Sequence, residues 1–219
     1  MLDDKRWESP VFSSDVLTFR EFAMREPFPL STIQNAVLDF LRDRNDAVLC
    51  GAQAVNAYVT EPRMSQDIDL QSTRAAELAE ELRQYLHAHF HIAVRTREVG
   101  GGRGYRLYQT RPEGSRHLVD LRPVSELPGA QRMAGVLVIE PAGLIASKVI
   151  AYEGRRGQPK SGTDWRDLAV LLLTFPELKR HPGPVSDILE ASSASPPAME
   201  FWQGLVAKEI RQASEEDDI

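Results

Sequence analysis

The chain has 219 residues, 42% of them hydrophobic, a single cysteine and a formal net charge of -6 at neutral pH. That is enough for one large domain or two small lobes around a core, with no apolar run as long as a membrane span. The negative balance argues against broad, non-specific nucleic-acid binding, and the lone Cys50 excludes an internal disulfide. The opening Met-Leu-Asp-Asp-Lys-Arg-Trp lacks the apolar centre of a signal peptide, so the expectation is a cytoplasmic protein.

In chain order, residues 1–30 show no clean period and are broken by Pro10, Pro27 and Pro29; they read as an irregular arm packing through Trp7, Phe19 and Phe22. Ser31-Thr32-Ile33-Gln34 has the spacing of a capping box ahead of a helix with Val37, Phe40 and Leu41 on one stripe. A buried strand over 46–50 follows, then a glycine turn at Gly51 and a helix from Gln53 to Tyr58. The next strand is 67–71. Thr73 is placed to cap a long helix in which Leu78, Leu82, Tyr85 and Leu86 recur at helical spacing.

The period then changes to that of strands over His91–Val99, Gly104–Thr110 and Arg116–Leu121, joined by Gly100-Gly101-Gly102 and by Pro112-Glu113-Gly114-Ser115. The glycine run has no helix after it and reads as a hairpin tip. Val136–Ile139 reads as a short edge strand, and Pro141 suits the first turn of a helix reaching Gly154. A basic loop from Arg155 to Ser161 leads to helices at 164–174, 184–191 and 198–213, the last with Phe201, Trp202, Leu205 and Ile210 on one side. His87, His89 and His91 end a helix without an accompanying acid or cysteine cluster, which makes them partners for helix carbonyls rather than zinc ligands. Cys50, inside an apolar strand, reads as a small buried hydrophobe.

Asp67-Ile68-Asp69 carries the chemistry. Alternate side chains of an extended segment share a face, so the two carboxylates point one way and Ile68 and Leu70 point into the core. Adjacent carboxylates repel unless a cation sits between them, which suggests a divalent-metal site. Upstream, Gly51 is a position where a phosphate can approach the backbone. A third acid is expected from a neighbouring strand, and Asp120, embedded in His117-Leu118-Val119-Asp120-Leu121, fits; the competing reading has it ending the strand or pairing with Arg122.

These features resemble the DNA polymerase β-like nucleotidyltransferase superfamily, and most closely its AbiEii/MenT type of toxin. The group's first motif is a glycine turn, a helix and Arg-x-Ser/Thr-x-Asp-Ile-Asp-Leu, here Arg63-Met64-Ser65-Gln66-Asp67-Ile68-Asp69-Leu70. Its Lys-x-x-Ala-x-x-x-Arg helix is matched by Lys148, Ala151 and Arg155, and its Asp-x-x-Asp-Leu by Asp164, Asp167 and Leu168. Two positions depart: Ala52 stands where the turn usually has Gly or Ser, and Thr163 where a basic residue is common. Backbone N–H groups and Gln53 would then serve the phosphates, with Lys160 or Arg166 replacing the missing cation.

The resemblance implies an α+β fold: a 1–30 arm, a mixed-sheet nucleotidyltransferase lobe over 31–140 and an α-helical lobe over 141–219. It implies Mg2+ or Mn2+ on Asp67, Asp69 and Asp120 and a nucleoside triphosphate as substrate. Gly51, Ala52, Gln53, Ser65, Lys148, Tyr152 and Arg155 would contact the nucleotide, and Arg63, Asp164 and Asp167 would support them. Lys148 and Tyr152, four residues apart, share a helix face, with Lys148 implied at the triphosphate and Tyr152 packing on the base; Lys148 as a solvated helix lysine is the other reading. Asp164 and Asp167 read equally as acids favoured at a helix N-terminus, holding Arg155 or Lys148 in place. By resemblance the acceptor is the 3′ end of a tRNA and the protein partner a cognate antitoxin. A small-molecule acceptor of the antibiotic type and a non-catalytic nucleotide-binding or interaction protein are the alternatives.

Overall fold

The computed structural model describes residues 29–112 and 114–210. The expected N-terminal packing of Trp7, Phe19 and Phe22 lies outside these residues. Backbone contacts define two compact units: one runs to Ala57 and resumes from Pro62 to Ile139, and the other takes Tyr58–Glu61 and the chain from Glu140 onward.

The first unit contains α1 (Leu30–Leu41), β1 (Ala47–Cys50), α2 (Gly51–Tyr58), β2 (Ile68–Ser72), α3 (Ala75–Phe90), β3 (Val94–Val99), β4 (Gly104–Arg111), β5 (Gly114–Pro123), β6 (Ala130–Met133) and β7 (Val136–Ile139). The strands form one mixed sheet in the order β3-β4-β5-β2-β1-β7-β6. β2 runs parallel to β5 and antiparallel to β1, so the strand carrying the acids is flanked on both sides. Val48, Leu49, Ile68, Leu70, Val119 and Leu121 are completely or almost completely buried. α3 lies along β2 to β5 and seats Leu78, Leu82 and Leu86, at four-residue spacing, in the same core.

Three expectations about this unit change. α1 begins at Leu30 after Pro29, with no side-chain cap, so Ser31 and Thr32 fall inside the first turn and no capping box forms. Proline ahead of the helix already holds the chain extended, and Gln34 instead donates to the Ser65 carbonyl at 2.9 Å. Thr73 is not the cap of α3; that position is Arg74, whose N–H donates to Ser72 Oγ at 3.0 Å. β7 is not an edge, because it pairs parallel with β1 through Leu49 and Val138, and the edge is the unforeseen β6. Val136-Leu137-Val138-Ile139 is apolar throughout, as an interior strand is, while Gln131 and Arg132 give β6 no apolar alternation to read.

The second unit is helical: α4 (Pro141–Gly154), α5 (Pro159–Thr174), a 3-10 turn (Pro176–Leu178), α6 (Pro184–Ala191) and α7 (Pro196–Ala207). Each opens on proline, whose fixed φ and missing N–H suit a first turn. Leu144, Ile145, Val149, Leu168, Leu171, Val185, Leu189 and Trp202 are fully buried, and the Trp202 indole donates to Ser186 Oγ at 3.1 Å. Pro159 starts α5 five residues earlier than expected, which shortens the basic loop to 155–158. α7 stops at Ala207, so Ile210 is not on its apolar stripe, and Phe201 is only half-buried.

Candidate active site

β1 ends at Cys50 and the chain turns through Gly51 directly into α2. Gly51 has φ +65°, and a Cβ built there would stand 1.9 Å from Asp69 Oδ2. The glycine therefore makes room for a protein carboxylate, where the sequence suggested room for a phosphate. Asp69 and Cys50 are register partners on β2 and β1, which brings the Asp69 carboxylate to the N-terminal end of α2, where backbone N–H groups favour negative charge.

Asp69 is also the register partner of Asp120 on the parallel strand β5. Residues in register on neighbouring strands, which lie about 4.8 Å apart, project from the same face. The two acids are thus side by side on one face of the sheet, while Ile68 and Leu70 enter the core on the other. The partner of Asp120 is Arg106, at 3.3 Å from its Oδ2, and not Arg122. A bond with Tyr108 and the charge of Asp120 together hold the Arg106 pKa above its ordinary value.

A β-bulge between Leu107 and Tyr108 changes the pairing of β5, so that Val119 faces Leu107 but His117 faces Tyr108. Arg106 and Tyr108 alternate onto the same face, and the bulge brings His117 to the face of Asp120. There His117 Nδ1 lies 3.1 Å from Asp67 Oδ2, and its ring stacks on Tyr108 with centroids 5.0 Å apart. Simple alternation from Asp120 assigns His117 to the core side, which is why sequence reasoning missed it. Arg106 is legible in the sequence only as one of the arginines crowding the β-rich stretch that suggests an RNA surface, not as the partner of Asp120, and Tyr108 was missed for want of any motif.

The other expected contacts in this unit take up structural positions. Gln53 is buried and accepts from Asn56 at 3.4 Å while donating to Gln34 Oε1 at 3.3 Å, so its amide is engaged by core partners. Asn56 donates to the Arg63 carbonyl at 2.8 Å and accepts from the Arg63 N–H at 3.0 Å, and Ser65 Oγ donates to the Asp67 carbonyl at 2.9 Å. Arg63 and Ser65 thereby shape the loop that delivers Asp67. Ala52 is buried beside Gly51. Cys50 is buried too, and burial together with the charge of Asp69 pushes its thiol up to about 12. A thiol reagent at pH 8 is expected to leave native protein unlabelled and to react once it is denatured; rapid native labelling would contradict that burial.

In the second unit, Lys148 Nζ is buried and lies 2.7 Å from Asp167 Oδ2 and 3.9 Å from Asp164 Oδ1. Arg155 Nη1 donates to Asp164 Oδ2 at 2.8 Å. Because α5 starts at Pro159, both acids sit past its first turn, so the helix dipole does not account for them; the two cations of α4 do. Lys148 is not a solvated lysine. Lys148→Ala takes from buried Asp167 a cation 2.7 Å away and leaves it Arg166 at 3.8 Å, so it should cost about 3 kcal/mol, read as a lower midpoint in urea. A Lys148→Ala/Asp167→Ala double variant should lose less than the two single losses added together. Tyr152 packs against Phe201 and Trp165, with centroids at 4.7 and 5.8 Å, beside an open pocket of about 570 Å3 that Lys208 also lines.

Among the described residues, no three His, Cys, Asp or Glu side chains are gathered as a metal cage. What the register supplies is the pair Asp69 and Asp120, with Asp67 drawn toward His117. Two hard carboxylates on one face fit Mg2+, which commonly takes one or two carboxylates and completes its shell with water and substrate phosphates.

A glycine turn at a helix start, an acidic strand beside it and a third acid on the parallel neighbour define a nucleotidyltransferase-type centre on a mixed sheet. The family model described as "Nucleotidyl transferase AbiEii toxin, Type IV TA system" matches residues 35–194, and the chain belongs to that family. No curated protein matches the chain. Among solved structures, the Megavirus polyadenylate synthase is similar at 14% identity and TM-score 0.57, over 75% of this chain and 35% of that one. This chain thus spans about a third of the viral enzyme. JHP933 from Helicobacter pylori is similar at 12% identity and TM-score 0.51, over 88% of this chain and 92% of that one. At such identities the likeness is one of fold.

Proposed function

We propose that the protein transfers a nucleoside monophosphate from a nucleoside triphosphate to an acceptor hydroxyl at Asp67, Asp69 and Asp120, with Mg2+ or Mn2+ as cofactor. The observation that carries this reading is the register of Asp69 with Asp120, with the Asp69 carboxylate seated over Gly51. A metal held by these acids would supply charge neutralisation for the triphosphate and a lower pKa for the attacking hydroxyl. Asp120, which Arg106 contacts at 3.3 Å, would accept the proton of that hydroxyl. Backbone N–H groups at Gly51 and Ala52, shared with the Asp69 carboxylate, would serve the phosphates, since Ala52 has no hydroxyl to offer.

In the second unit, Tyr152 offers an aromatic face to a base and Arg155, one-third exposed, a cation to phosphate. Lys148, neutralised by Asp167, reaches phosphate only by exchanging that partner and otherwise holds α4 to α5. Membership of a toxin family supports an antitoxin as partner, and the resemblance of the motifs extends the reading to an RNA acceptor, the 3′ end of a tRNA, met in the cytoplasm. The test incubates the protein with each labelled triphosphate, total tRNA and Mg2+ or Mn2+. Label in tRNA is the expected result. Label in an aminoglycoside would move the acceptor to the antibiotic class, and no transfer to any acceptor would leave a binding protein.

A further inference from the structure

The sheet face that carries Asp69 and Asp120 continues outward across β4 and β3, and its composition changes from acidic to basic. Arg106 on β4 is the register partner of Arg97 on β3, and Tyr108 that of Arg95. Cross-strand partners share a face, so Arg95, Arg97, Arg106, Tyr108 and His117 form one patch contiguous with the acid pair. α3 covers the opposite face, where Val94, Leu107 and Leu121 are buried. On the patch Arg95 and Arg97 are exposed, Arg106 is 42% exposed, and Tyr108 and His117 are half-exposed.

Two arginines directly opposite one another destabilise a strand pair. Arg95 and Arg97 have no ion-pair partner among the described residues, and the chain as a whole is acidic. A cost of this kind is offset when a polyanion lies across the strands. Beside the cations, Tyr108 and His117 stack on one another across the strands, with planes 28° apart and His117 next to Asp67, a stack that a further ring can extend. Aromatic rings on an open sheet face accept unstacked bases, while neighbouring arginines take the phosphates between them.

We infer that this face is the acceptor-binding surface and that its ligand is a single-stranded RNA end. The terminal nucleoside extends the Tyr108–His117 stack, and the preceding phosphates run outward over Arg106, Arg97 and Arg95. The arrangement delivers a terminal hydroxyl toward Asp120 and leaves the sequence unread, since phosphate and stacking contacts carry no base code. The inference rests on the nucleotidyl-transfer reading, and its test is made without turnover.

Binding of a 5′-fluorescent 12-nucleotide single-stranded RNA is followed by anisotropy, without triphosphate, from low to moderate salt. Three phosphate contacts predict a slope of log affinity on log salt of about -2, at roughly 0.7 per phosphate. Arg95→Gln/Arg97→Gln should reduce that slope to about -0.7, weaken binding at least about tenfold at low salt and leave triphosphate binding unchanged. Tyr108→Leu should weaken binding at least about fivefold with the slope retained, because stacking is not ionic. Equal binding by wild type and the double arginine variant, or a salt-independent affinity, would overturn the inference. So would tighter binding of an acidic peptide than of the RNA, which would assign the patch to a protein partner. RNA binding by this face without any nucleotide transfer would leave the surface standing and remove the enzyme. Transfer to RNA with arginine-independent binding would do the reverse.

Discussion

Asp69→Asn is expected to lower nucleotidyl transfer at least about 100-fold while the protein stays folded. Losses of that size follow removal of a single preorganised electrostatic group. Asp69 is the acid most tightly built into the fold: its carboxylate fills the space above Gly51 and its backbone pairs with both Cys50 and Asp120. Asparagine keeps the shape and removes the charge. Without metal, the variant should be as stable as wild type or slightly more so, because repulsion between Asp69 and Asp120 is relieved. Labelled-nucleotide transfer and a melting curve on the same preparation check both halves. Retained activity would take Asp69 out of the chemistry, and a large loss of stability would make its role structural.

Gly51→Ala should damage both activity and stability, for a reason that lies entirely in the backbone. At φ +65° any L side chain is strained by about 1–2 kcal/mol. The new Cβ would also overlap Asp69 Oδ2, so the carboxylate must turn away or the strand must shift, for about another 1–3 kcal/mol. The sum, about 3 kcal/mol, corresponds to a fall in Tm of roughly 6–12 °C for a chain of this size. Transfer should fall with it as far as in Asp69→Asn. In Gly51→Ala/Asp69→Ala the overlap with the carboxylate is gone and only the Cβ of residue 69, at 2.7 Å, still crowds the new methyl, so part of the stability should return while activity stays lost. A double variant no more stable than Gly51→Ala would show that the glycine serves something other than Asp69.

Much of this was legible along the chain. The continuous apolar run of β1, the period-two segment Ile68–Leu70 and the four-residue repeat Leu78, Leu82, Leu86 each report burial through local periodicity, which sequence displays directly. Pro141 announced α4, and the Arg63–Leu70 motif announced the acids and their family. Residues whose roles depend on partners distant in sequence were not legible. Gln53 became part of a core amide chain because Gln34, on another helix, lies beside it. Lys148, Arg155, Asp164 and Asp167 resolved into ion pairs once α5 was seen to start at Pro159.

By itself, the sequence determined most of the helices and strands, that three carboxylates sit in or beside strands, and which family the chain joins. Those are properties of spacing, and spacing survives without a fold. Only the tertiary structure decided that Asp120 stands beside Asp69, that Arg106 holds it and that a bulge swings His117 onto the acids. Register and bulges are set by how strands far apart in the chain pair. A slip of one residue in β5 would carry Asp120 to the opposite face of the sheet.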